Sequence, residues 1–127
     1  MTGYVNTAAE QLVVEIQVRD IGRAVAFYRG LGFETVGESD GFVALSWEGR
    51  HFFLSCHEGL PPPPDNPPAN LRIMVADVDR RWEQVTGMGA RIVYPIGDRA
   101  YGLRDFTFAD PDGFGLRFAS LLDQPAS

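Results

Sequence analysis

Residues 18–33 read Val-Arg-Asp-Ile-Gly-Arg-Ala-Val-Ala-Phe-Tyr-Arg-Gly-Leu-Gly-Phe, and 57 positions later the same pattern returns around Val75, Asp77, Val78, Arg80, Gly87, Met88 and Gly89. The ungapped correspondences are Val18/Val75, Asp20/Asp77, Ile21/Val78, Arg23/Arg80, Gly30/Gly87, Leu31/Met88, Gly32/Gly89 and Val36/Val93. A repeat of this length marks a duplicated supersecondary unit, each copy covering an apolar face that it cannot bury alone.

Upstream of each copy lies an alternating stretch. Val14, Ile16 and Val18 fall on one face and Val13, Glu15 and Gln17 on the other, while Leu71, Ile73 and Val75 oppose Asn70, Arg72 and Met74. Period-two alternation predicts strands with two different faces. Asp20 and Asp77 then stand where an N-cap carboxylate accepts from the free N–H groups of a first helical turn. Ile21, Ala24, Val25 and Tyr28 form one helical stripe, and Val78, Trp82 and Val85 form the other. Gly32 and Gly89 end these helices, because glycine takes a left-handed C-terminal cap without steric cost.

Downstream, the first copy continues as Phe33 to Val36, Phe42 to Trp47, a turn at Glu48-Gly49, and His51 to Cys56. The second continues as Arg91 to Tyr94, Leu103 to Phe108, a turn at Asp110-Pro111-Asp112-Gly113, and Phe114 to Ala119. Each copy therefore reads β-α-β-β-β. The expected boundaries are 12–58 for the first module, 59–68 for a Pro-rich linker and 69–120 for the second, all within one compact domain. The linker's prolines exclude helix and central strand and favour a stiff, extended spacer.

Composition bounds the function. The chain has 127 residues, enough for a core without disulfides or a structural metal. Its one cysteine, Cys56, excludes an intrachain disulfide, a thiolate cluster and a CxxC redox pair. A net charge of -6, with all 11 basic residues arginine and scattered, argues against nucleic acid as a partner. Met1 to Gln11 lacks the basic and apolar regions of a secretory signal, and no apolar run approaches the ~20 residues that cross a bilayer. The expectation is a cytoplasmic protein with no membrane partner.

The 18–33 run, the Tyr101-Gly-Leu-Arg-Asp-Phe-Thr-Phe-Ala-Asp-Pro-Asp-Gly-Phe run at 101–114 and the duplicated β-α-β-β-β unit together resemble the glyoxalase / bleomycin-resistance / extradiol-dioxygenase (vicinal oxygen chelate) superfamily. The likeness spans residues 12–120 and is nearest the metal-free bleomycin-resistance-like branch. It implies an α+β fold in which two tandem modules form a cupped mixed sheet with the helices outside, and a homodimer.

In metal-dependent relatives, His, Gln or Glu side chains on the first and last strands of each module hold one divalent ion. The matching positions here are Val13 and Asn70, by the 57-residue offset, and Phe53 and Arg117, by aligning Gly49 with Gly113. Valine and phenylalanine have no donor atoms, arginine is a permanent cation and asparagine is a weak ligand. No metal and no cofactor are expected.

Candidate ligand-binding residues are Glu15, Gln17, Trp47, His51, Phe53, Asn70, Arg72 and Arg117, with no catalytic residue assigned. Glu15 and Arg72 are counterparts in the repeat and read either as a structural ion pair or as polar contacts of an aromatic-walled pocket. His51 is either a polar residue at a strand start or a base. Cys56 reads as a small buried apolar residue, His57 as solvated, and the Asp-Pro-Asp-Gly run as turn chemistry. Phe42, Trp47, Phe53, Phe106 and Phe108 supply either cavity walls or core.

The resemblance implies a small-molecule binding protein, with antibiotics among its candidate ligands, that acts without a metal. The alternative is a glyoxalase- or dioxygenase-like enzyme (lyase, isomerase or dioxygenase) with Glu15 or His51 as general base.

Overall fold

Alternating apolar residues in the first module produce a four-stranded sheet, seen in a computed structural model that describes residues 10–122. Residues 1–9, which carry most of the stretch read for a secretory signal, lie outside the described residues. The chain is α+β and comprises two compact units that divide between Pro62 and Pro63, inside the proline run. Each unit is one β-α-β-β-β module.

In the first unit, β1 (Val14–Val18), α1 (Ile21–Leu31), β2 (Glu34–Ser39), β3 (Phe42–Trp47) and β4 (Arg50–Cys56) form a sheet of order β1-β4-β3-β2. β1 runs parallel to β4 and the other pairs are antiparallel. Asp20 caps α1 by accepting from the Arg23 amide at 3.0 Å. Gly32 ends the helix at φ 121°, a conformation open to glycine and costly for other residues. The helix buries Ala24, Tyr28 and Leu31; Ile21 and Val25, expected on the same stripe, are half-buried. Tyr28 meets Phe33 and Phe52 edge-on at 5.4 and 5.2 Å, so α1 packs on the face that also carries Leu45 and Leu54. Burying each such side chain contributes about 2 kcal/mol before entropy is counted.

The second unit repeats this plan with β5 (Asn70–Met74), α2 (Val78–Gly87), β6 (Arg91–Asp98), β7 (Leu103–Ala109) and β8 (Gly115–Leu121) in the order β5-β8-β7-β6. Asp77 caps α2 by accepting from the Arg80 amide at 3.1 Å, and Gly89 follows the helix at φ 73°. Trp82 packs against Phe106 at 5.1 Å, and Phe106, Phe108 and Phe118 form a fully buried cluster beneath α2. The Ser120 hydroxyl accepts from the Val78 amide and donates to the Val75 carbonyl, tying the start of α2 to β8.

Several boundaries differ from expectation. β2 starts at Glu34 and runs on to Ser39, and β6 extends to Asp98, because register shifts let the outer strands continue past the expected turns. The linker packs as well as spaces. Arg91 donates to the carbonyls of Asp65 and Pro64 at 2.8 and 3.2 Å, and Pro63 occupies the space a side chain at Gly113 would need. No helix among the described residues is long and apolar enough to cross a membrane.

Candidate functional site

Each sheet buries one face under its helix and leaves a second, helix-free face. Strand register assigns the residues of that second face in transverse rows. In the first unit the rows are Glu15, Phe53, Ala44 and Gly37, then Gln17, Ser55, Phe42 and Ser39, then His51, Ser46 and Glu34. Glu15 and Gln17 are exposed, while His51 and Phe53 are half-buried. Phe53 meets Phe42 edge-on at 5.2 Å and lies near-parallel to His51 at 6.5 Å. The His51 ring nitrogen is 3.4 Å from the Gln11 side-chain nitrogen. Four of the expected site residues thus share one face, around an aromatic pair.

Trp47 does not join them. Its ring packs on Phe33 at 5.0 Å, within the cluster that α1 covers. The reason is parity: Trp47 follows Val43 and Leu45 at steps of two, on the opposite face from Phe42, Ala44 and Ser46. Phe106 and Phe108 likewise belong to the helix-covered core, whereas Phe42 and Phe53 belong to the helix-free face. Cys56 is half-buried rather than buried, its thiol 3.5 Å from the Arg19 carbonyl, because it ends its strand. His57 is exposed.

The second unit's rows are Asn70, Gly115, Ala109 and Arg91, then Arg72, Arg117, Thr107 and Tyr94, then Met74, Ala119, Asp105 and Gly97. Asn70, Arg72 and Arg117 therefore share one face, with Asn70 and Arg72 exposed and Arg117 half-buried. A polar network that sequence reasoning did not assign runs beside them. Asp105, 2% exposed, accepts from Arg99 Nε at 2.7 Å and from the Tyr101 hydroxyl at 2.5 Å. Arg117 donates through Nε to the Thr107 hydroxyl at 3.1 Å and holds a terminal nitrogen 4.0 Å from Asp105. The period-two step from Asp105 to Thr107, opposite Phe106 and Phe108, was the available signal for this pair. Arg99 and Tyr101, in the hairpin bend, carried none.

Burial by itself pushes the Asp105 carboxyl upward. Hydrogen bonds from Arg99 and Tyr101 and the charges of Arg117 and Arg99 outweigh it and hold the group below the ordinary carboxylate range. The Tyr101 phenol is raised, chiefly by its hydrogen bond to Asp105 and then by burial. Asp105 is thus a firmly ionised anchor with both oxygens engaged.

The positions that the family resemblance matched to metal ligands are Val13, Phe53, Asn70 and Arg117. Phe53 faces Phe42, and Arg117 is a donor to Thr107. Such a set does not fit a divalent cation, which needs several nitrogen or oxygen lone pairs converging at about 2 Å. Among the described residues, no group of three or more His, Cys, Asp or Glu could hold a metal ion.

The family model for the Glyoxalase/Bleomycin resistance protein/Dioxygenase superfamily matches residues 10–118. No curated protein matches the sequence. Among solved structures, a glyoxalase/bleomycin resistance protein/dioxygenase from Alicyclobacillus acidocaldarius superimposes with a TM-score of 0.74 at 19% identity, covering 90% of this chain and 92% of its own. A bleomycin resistance determinant encoded on the transposon Tn5 gives 0.72 at 23% identity, with coverage of 89% and 98%. A genomically encoded fosfomycin resistance protein from Listeria monocytogenes gives 0.74 at 16% identity, with coverage of 90% and 94%. At these identities the likeness is one of fold.

Proposed function

Because this chain belongs to the glyoxalase/bleomycin resistance/dioxygenase superfamily, we propose that it is a small-molecule binding protein, one that holds an organic ligand on a helix-free sheet face without a divalent metal. The observation that carries this reading is the identity of the four family ligand positions. Val13 and Phe53 give the first unit an apolar and an aromatic side chain, and Asn70 and Arg117 give the second a weak amide and a cation, chemistry suited to an organic molecule and unsuited to a metal ion.

Glu15, Gln17, His51 and Phe53 are the contacts proposed on the first sheet, and Asn70, Arg72 and Arg117 on the second. Trp47 serves the core and influences the site only through packing. Phe42 joins the set, since its ring supports Phe53 and stacking of flat ligands needs such a platform. An antibiotic is one class of ligand compatible with this arrangement, and sequestration rather than chemistry is the proposed mode of action. A cytoplasmic location and a homodimer complete the proposal. Leu12 at 99% and Leu121 at 76% exposure are apolar surfaces that a second copy would cover.

Binding of the aromatic probe 8-anilinonaphthalene-1-sulfonate to the native protein, followed by fluorescence, tests the reading. Saturable binding that weakens about tenfold or more in Phe53→Ala, as loss of a buried aromatic contact entails, supports it. Non-saturable binding that ignores Phe53 counts against it.

A further inference from the structure

Arg72 and Arg117 stand directly opposite one another on the parallel pair β5·β8, on the same helix-free face. Adjacent strands are only about 4.8 Å apart, and like charges in facing positions repel. Among the described residues, only Asp105 stands within ion-pair range of either arginine. Asp105, the nearest acid to Arg117, lies 4.0 Å away and has its two oxygens engaged by Arg99 and Tyr101. The Arg72 side chain is exposed and makes no hydrogen bond or ion pair among the described residues. Two guanidinium groups, of Arg99 and Arg117, therefore share one carboxylate, and Arg72 stands opposite Arg117 on the neighbouring strand, in a protein whose net charge is -6.

The Arg72 side chain is exposed and that of Arg117 keeps 20% of its surface exposed. A guanidinium carries five N–H donors; Arg117 commits its Nε to Thr107, which fixes the plane of the group, and its terminal nitrogens, one of them 4.0 Å from Asp105, make no hydrogen bond among the described residues. The rows flanking the arginines on β7 and β8 hold Ala109, Gly115 and Ala119, so the floor around them is low. One end of the floor is closed by the linker: Pro67 and the Ala69 carbonyl occupy the space a side chain at Gly115 would need. Tyr94, at the far end of the arginines' row, and Met74, in the neighbouring row, are each about half exposed.

We propose that Arg72 and Arg117 form the anchoring site for an oxyanion, a carboxylate or a phosphate monoester, carried by a small organic ligand that lies across the helix-free face of the second sheet. This rests on the small-molecule reading above and narrows it to anionic ligands. Two planar forks side by side match the paired oxygens of such a group, which lysines or a single arginine would match less well.

Isothermal titration of the native protein with four probes of one ring system tests the assignment: 2-naphthoate, 2-naphthyl phosphate, neutral 2-naphthamide and 2-naphthylmethylammonium. At least one anion should bind tenfold or more tighter than the amide, and the ammonium should bind weakest. Which of the two anions leads identifies the oxyanion. Arg72→Gln, on an exposed residue, should cut the anion's affinity about tenfold or more, as loss of a charged hydrogen bond entails, and leave the amide unaffected. Arg117→Gln should do the same while a thermal melt reports its fold. Equal binding of amide and anion, or anion binding indifferent to Arg72→Gln, overturns the assignment while sparing the small-molecule reading. Failure of all four probes to bind overturns both.

Discussion

Arg99 reaches back across the hairpin bend between β6 and β7 to place its Nε 2.7 Å from Asp105 Oδ1, and it does so by lying over Gly97. A Cβ at position 97 would stand 3.2 Å from an Arg99 terminal nitrogen, so the glycine makes room for the pair. Arg99 also donates to the Pro95 and Asp105 carbonyls at 2.6 and 3.1 Å. The network thus fixes the bend to the sheet face that carries Arg117.

Asp105→Asn should destabilise the protein by about 2–3 kcal/mol, less than the 3–5 kcal/mol of a fully buried broken pair, because Arg99 keeps some solvent. Chemical denaturation checks this. Gly97→Ala, which only nudges the flexible end of Arg99, should cost less than Asp105→Asn.

Stability should depend on pH at both ends through this network. The Asp105 carboxyl is held low in the folded state, so its contribution is present above the ordinary carboxylate value and is lost as pH falls through the lowered one. The Tyr101 phenol is held high, so its contribution is present below the ordinary tyrosine value and is lost as pH rises through the raised one. Thermal melts across pH should show the acid limb flattened in Asp105→Asn and the alkaline limb flattened in Tyr101→Phe.

Gly115→Ala should destabilise by about 1–3 kcal/mol, the usual cost of overpacking. Its Cβ would lie 2.7 Å from the Ala69 carbonyl oxygen and 3.1 Å from Pro67, both in or beside the linker. An unchanged urea midpoint would mean that the linker does not pack there.

The repeat predicts matched capping energies. Asp20→Ala and Asp77→Ala each remove a carboxylate that accepts an amide at 3.0 or 3.1 Å, and each should cost about 1 kcal/mol. Urea titration of the two variants should give values within a few tenths of each other.

Much of the fold was legible because period and punctuation agree in this sequence. Asp20 and Asp77 cap, Gly32 and Gly89 stop, and strict alternation in Val14 to Val18 and in Asn70 to Val75 separates two faces. Boundaries were less legible where outer strands carry register shifts, as in Arg91–Asp98, since the bulges between Ile92 and Gly97 break the period of two. Of the candidate site residues, those on alternating strands fell on the expected face. Trp47 was read by residue type instead of parity, and parity sends it to Phe33. Asp105 escaped notice because its significance depends on Arg99 and Tyr101, which the hairpin bend brings to it and which no local pattern announces.

The central claim is that the second sheet's helix-free face, with arginine at a position matched to a family metal ligand, serves organic ligands and not a metal ion. Titrating the metal-stripped protein with Mn²⁺, Fe²⁺, Ni²⁺ and Zn²⁺ in a calorimeter tests it most directly. The account predicts no stoichiometric heat from any of the four. One ion bound per chain, with binding lost in Asn70→Ala, would contradict it.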